Sequence, residues 1–145
     1  REREGAKLRT DVEEKLARIE SLVTSVETAA PETAAAYEAR LRQKLETVLA
    51  ATDIDESRII AEAAIYADHV AVDEETVRLR SHITSMKETL SEGGPVGRKL
   101  DFIAQEMNRE ANTILSKANN IEISDVGINL KTGIEKIREQ IQNLE

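Results

Sequence analysis

The sequence predicts an all-α protein of about six helices, a long antiparallel helical hairpin plus a helical bundle, and three observations predict it. Aromatics make up only 2% of the 145 residues, one Phe and two Tyr with no Trp, so the core must be built from Leu, Ile, Val and Ala, the usual filler of helix-helix seams. Charged residues at 33% beside hydrophobic residues at 40% fit long helices, each with one buried stripe and one wet face. Six Gly and two Pro leave little turn chemistry, and no segment shows the alternation of a strand.

The first helix is expected from about Glu4 to Ala29, because Leu8, Val12, Leu16, Ile19, Val23 and Val26 recur at steps of four and three. Ala30-Pro31 ends it, since proline is tolerated in a helix's first turn and not in its interior. A second helix therefore begins near Pro31 and buries Tyr37, Leu41, Leu45 and Val48. These two are expected to pair as an antiparallel hairpin, an arm or oligomerisation element over residues 1–50. Residues 51–145 then form a four-helix C-terminal domain. In it Asp55 caps a third helix with Ile59, Ala63, Tyr66 and Val70 inward, and Asp73 caps a fourth with Thr76, Leu79, Ile83, Met86 and Leu90 inward. Gly93-Gly94-Pro95 stops the fourth helix. The fifth runs from about Pro95 to Lys117, burying Leu100, Ile103, Ala104, Met107, Ala111, Ile114 and Ala118. The sixth starts at Ser124 or Asp125, with Val126, Leu130, Ile134, Ile137, Ile141 and Leu144 on its stripe.

Several function classes are excluded early. Without Cys there is no disulfide framework, thiolate metal site or thiol nucleophile. No apolar run approaches the roughly 20 residues of a membrane span. The opening REREGAKLR is too polar for a signal peptide's apolar segment, so the chain is expected to be soluble and cytoplasmic. Net charge is −8, and it is uneven: residues 51–93 hold 4 basic and 10 acidic side chains, against 9 and 10 before them and 7 and 8 after. That acidic middle repels phosphates unless bound cations reverse the local sign.

The fifth helix has an unusual polar side. Asp101, Gln105, Asn108 and Asn112 cluster on one face, Glu106, Glu110 and Thr113 form a stripe on the other flank of the apolar face, and Arg109 lies between them. Asn is a mediocre helix former that offers both a donor and an acceptor, so two of them on one stripe point to specific polar partners. On the fourth helix Glu75, Arg78 and His82 stand at i, i+3 and i+7, and His82 is suited to proton transfer near neutral pH. On the third, Glu62 and His69 share a flank and Asp68 lies on another side. The plain reading of these acids is pairing with Arg78, Arg98 and Arg109. If carboxylates from several helices converged they would suit Mg²⁺ or Mn²⁺, which prefer oxygen ligands.

The run GPVGRKLDFIAQEMNREANTILSKANN, the ending IEKIREQIQNLE, the opening REREG and the segment ADH…EETVRLRSHI together resemble the C-terminal half of the YicC family of bacterial proteins. The resemblance covers nearly all of the chain. It implies a metal-dependent endoribonuclease that cleaves single-stranded or structured RNA in bacterial RNA turnover, assembled as a ring-like homo-oligomer, with a further N-terminal domain preceding REREG. On that reading the chain by itself is expected to be inactive. Two positions depart from the family's pattern: Ala71, where a polar or acidic residue is expected, and Leu115, where Gly is expected.

On this resemblance the expected site lies between the third, fourth and fifth helices. Glu62, Glu75, Asp101, Glu106 and Glu110 would hold one or two divalent cations, Mg²⁺ or Mn²⁺. His82 would move the proton, with Glu75, Glu106 and Asp101 as catalytic partners. Arg78, Arg109, Gln105, Asn108 and Asn112 would bind RNA. With so few aromatics, base stacking is not expected on this chain. The alternative is a non-catalytic helical adaptor or oligomerisation module binding RNA or another RNA-turnover protein, with the polar stripes as a subunit interface. A purely structural coiled-coil module is a third reading, and it leaves Asn108 and Asn112 without a reason.

Overall fold

The computed structural model describes residues 2–29, 32–49 and 55–143, and every regular element in them is a helix. The six helices are α1 (Glu2–Thr28), α2 (Ala34–Leu49), α3 (Glu56–Val70), α4 (Asp73–Glu92), α5 (Gly97–Lys117) and α6 (Ile121–Gln142). No helix among the described residues is long and apolar enough to cross a membrane.

The chain divides into two compact units, residues 1–29 with 72–145, and residues 30–71. The first unit is a four-helix bundle in which α1 packs on α4 and α6, and α5 packs on α4 and α6. Short connections make α4, α5 and α6 antiparallel in turn. The ion pairs Glu27–Arg80 and Glu20–Lys87 set α1 antiparallel to α4. This corrects the expected hairpin of the first two helices. The stripe Val12, Leu16, Ile19, Val23 and Val26 is fully buried in one core with Leu79, Met86, Leu100, Met107, Ile114, Leu130, Ile134 and Ile137. The periodicity identified the buried stripe of α1 and said nothing about what covers it. The division of the chain accordingly differs from a boundary at residue 50.

Local chemistry moves three helix starts. Thr33 accepts from the Ala36 N–H at 3.1 Å and α2 begins at Ala34; the expected start at Pro31 lies outside the described residues, as do the Val48 side chain and Leu144. Asp73 is the first residue of α4 and not its cap; the cap position is Val72, which makes no side-chain capping bond and is buried instead. Burial of an apolar side chain outweighs a cap at that position. Asn120, not Ser124 or Asp125, caps α6: its Oδ1 accepts from the Ile123 N–H at 2.8 Å, and the earlier start adds buried Ile123 to the stripe. Asp55 caps α3 as its position predicts, accepting from the Arg58 N–H at 3.3 Å.

Leu115 finds its space on α6. A Cβ built on Gly127 would meet Leu115 Cδ2 at 2.8 Å and Cγ at 2.9 Å, so the missing side chain of Gly127 is what admits Leu115 at the α5–α6 seam.

The second unit is the α2–α3 hairpin. Tyr37 and Tyr66 stack with ring centroids 3.9 Å apart and planes 8° from parallel, and Arg40 lies over Tyr37 at 5.1 Å. Arg42 joins the two helices through Glu38 at 3.0 Å and Glu56. Ile59, Ala63 and Val70 are buried.

Candidate functional site

The α4–α5 seam is where the sequence's two polar lines meet. Glu75 and Glu110 are almost completely buried there, at 3% and 5% exposure, beside core positions of their own helices. Buried carboxylates need partners. Arg78 supplies one to each: its Nε lies 3.0 Å from Glu110 Oε1 and its Nη2 3.6 Å from Glu75 Oε1, while exposed Glu74 is 3.6 Å from Nη1. The bond to Glu110 holds the Arg78 proton above the ordinary guanidinium affinity. Lys117, near the C-terminal end of α5, donates to Glu75 Oε1 at 2.9 Å. Glu75 Oε2 is buried with no hydrogen-bond partner.

The antiparallel register that sets Arg78 beside Glu110 carries one turn further. Four residues on in α4 is half-buried His82, and four residues back in α5 is Glu106, so these two stand level across the same seam. Glu106 also reaches Arg109 at 3.6 Å. Ion pairs gather Glu75, Arg78 and Glu110 at the seam, and the register sets His82 and Glu106 one turn further along the two helices. Lys117 belongs to the group and was not picked out from the sequence, although it stands seven residues after Glu110 on the same face.

Asp101 is held elsewhere. It faces α6, accepting from Arg138 Nε at 3.2 Å and from Gln105 Nε2 at 2.9 Å, so the structure does not bring it to Glu75, Glu106 and Glu110. Arg138 is the partner the sequence reading missed, because a pair between separate helices has no spacing signal. Asn108 is half-buried with an unpartnered Oδ1. Gln105, Asn108, Arg109, Asn112, Thr113 and Ser116 line a shallow depression along the outer side of α5. Glu62, Asp68 and His69 are exposed on α3, in the hairpin unit, whereas the ion-paired group of Glu75, Arg78, Glu110 and Lys117 lies on α4 and α5.

A family model described as "Endoribonuclease YicC-like, C-terminal" matches residues 26–145. The chain belongs to this YicC-like family. Proteins named "Probable endoribonuclease YicC" from Clostridioides difficile (strain 630) and from Haemophilus influenzae (strain ATCC 51907 / DSM 11121 / KW20 / Rd) are each 40% identical to it. Those alignments run over 146 and 145 residues and cover the whole chain and 50% of each relative. The chain thus spans about half the length of the curated YicC relatives it matches.

Among the described residues no three His, Asp or Glu side chains converge as a metal cage. Mg²⁺ commonly takes only one or two carboxylates and leaves its other positions to water and substrate phosphates. Glu75 and Glu110 are two carboxylates of that kind, with Glu75 Oε2 unsatisfied and with Arg78 and Lys117 as their present counter-charges; Asp101 is held by Arg138, away from them.

Proposed function

We propose that the protein is an endoribonuclease that cleaves RNA phosphodiester bonds at the α4–α5 seam. The observation that carries this reading is the meeting of Glu75, Arg78 and Glu110 with Lys117, one helical turn from His82 and Glu106. Membership of a family whose named relatives are probable endoribonucleases supports it.

In this reading His82 moves the proton between the attacking and leaving oxygens, and Glu106, level with it, orients the imidazole. Arg78, fixed from beneath by two buried carboxylates and half-exposed at its tip, presents its remaining N–H groups to a phosphate oxygen. Arg109, Gln105, Asn108 and Asn112 extend that contact over the outer side of α5, supplying donors and acceptors for ribose and phosphate. Glu75 and Glu110 would hold Mg²⁺ or Mn²⁺, which when bound stabilises the charge that develops on the phosphate oxygens. A homo-oligomer and contacts with other RNA-turnover proteins belong to the same proposal.

The test is cleavage of end-labelled RNA by purified protein carrying this sequence, in Mg²⁺, in Mn²⁺ and in chelator. His82→Ala is expected to lose at least about 100-fold in cleavage rate with the melting temperature unchanged. Cleavage by His82→Ala at the parent rate would remove the proposed chemistry. An RNA that is bound but never cut, in either cation, would favour the adaptor reading.

A further inference from the structure

The outward stripe of α5 differs from those of its neighbours. Arg98, Phe102, Gln105, Arg109, Asn112 and Ser116 follow one another at steps of four and three along the side opposite the buried face, and all six are exposed. The stripe carries two cations and no acid, in a chain of net charge −8. The exposed line of α4, Glu74, Val77, Ser81, Thr84, Glu88 and Glu92, carries three carboxylates, and that of α6 includes Asp125 and Glu139. The acids nearest the α5 stripe are already engaged, Asp101 with Arg138 and Glu106 with Arg109.

Phe102 stands among these polar groups with 61% of its surface exposed. A single exposed apolar residue is ordinary by itself. This one is the only Phe of the chain, and the two Tyr rings are stacked on each other, so Phe102 offers the one uncommitted aromatic face among the described residues. Arg98 lies one turn before it and Arg109 two turns after, which places cations on both sides of the ring within about 16 Å of helix. Alternating cations and an aromatic, with amides between, is the arrangement that takes single-stranded nucleic acid: cations follow the backbone and the ring stacks on a base.

We infer that the outward stripe of α5 is a single-strand RNA track, in which Phe102 stacks on an unpaired base and Arg98 and Arg109 take the flanking phosphates. This rests on the ribonuclease reading and narrows its RNA from single-stranded or structured to unpaired strands held on these residues, since a duplex keeps its bases stacked on each other and offers the ring none. It also revises the expectation that base stacking is absent from this chain. A neutral ring gives affinity without reading sequence, so the track is tolerant of base identity.

The test is binding of fluorescent single-stranded and duplex RNA of equal length to Phe102→Leu, which keeps apolar bulk and loses the π face, and to Phe102→Trp. The exposure of Phe102 makes both substitutions compatible with the fold. Phe102→Leu is expected to bind the single strand about 10-fold more weakly with duplex binding unchanged. In Phe102→Trp, the only Trp of a chain that otherwise has none, emission is expected to be quenched as the single strand binds. Arg98→Gln should lower the slope of log affinity against log salt by about 0.7. Single-strand affinity unchanged in Phe102→Leu together with unquenched Trp emission overturns the inference, and if His82-dependent cleavage persists, the ribonuclease reading stands without it. Dissociation of an oligomer by Phe102→Leu, with RNA affinity unchanged, would make the stripe a subunit contact and overturn it as well. A parent protein that neither binds nor cuts RNA removes both.

Discussion

Glu75 shows how much one residue's role depends on what lies over it. Its spacing from Arg78 is an ordinary i,i+3 pair, worth a few tenths of a kcal/mol on a solvated helix. In the structure it is 3% exposed, Arg78 lies 3.6 Å away, and the closer cation is Lys117, 42 residues on at 2.9 Å. Removing Lys117 leaves the buried Glu75 carboxylate with only the more distant Arg78 to compensate it. Lys117→Met is therefore expected to destabilise the protein by about 3 kcal/mol, and Lys117→Arg by much less, as read from urea midpoints at pH 7. An equal and small loss in both would show that the Glu75 carboxylate is supported by Arg78 alone. Glu75 and Arg78 were legible as neighbours on one face; the burial of Glu75 and the arrival of Lys117 were not, because both depend on the approach of α5.

At the scale of elements, the seams argue two further outcomes. Gly127→Ala would ordinarily gain about 1 kcal/mol of helix propensity, but here the new methyl meets Leu115 below 3 Å. A double-mutant cycle with Leu115→Ala is expected to show a coupling of about 1 kcal/mol or more, and strict additivity would remove the close approach as the reason for Gly127. On the α1–α4 seam, a hydrogen bond from Arg80 lowers the Glu27 proton affinity below the usual glutamate range, against a smaller opposing effect of burial. A lowered folded value means stability that is present above the unfolded value and is lost as pH falls through the folded one. The stability advantage of the parent over Arg80→Gln should therefore shrink as pH falls below about 4.5, the ordinary glutamate value. The pair is partly exposed, so the effect is small and salt-sensitive. Helix bounds were legible where a stripe or a side-chain cap marked them, as at Asp55. They shifted where burial decided, as at Val72, and where Asn120 caps α6 a turn before the expected Ser124 or Asp125.

For the whole molecule, α1 closes the bundle although 42 residues of another unit separate it from α4. Five of its side chains, Val12, Leu16, Ile19, Val23 and Val26, are at most 1% exposed. A protein lacking residues 1–29 should lose its cooperative thermal transition, since that many vacated core positions exceed the stability of a small domain. Replacing residues 30–71 with a flexible linker should keep that transition, because Glu27 at the end of α1 contacts Arg80 two turns into α4, which leaves a short gap for the linker to span. Circular dichroism melts of the two deletions distinguish this arrangement from an independent arm over residues 1–50.

The sequence by itself determined that the chain is helical, which side of each helix is apolar, and which residues of α4 and α5 stand in line, because all of these follow from a period of 3.6 residues. Tertiary structure alone decided the partners: α1 on α4 and α6 instead of α2, Arg138 on Asp101, Lys117 on Glu75, and Phe102 left uncovered among cations. A helical period specifies a direction around one axis and contains nothing about which second axis approaches it. Pairing between helices, and with it the neutralisation or exposure of each polar group, is settled only when the core closes.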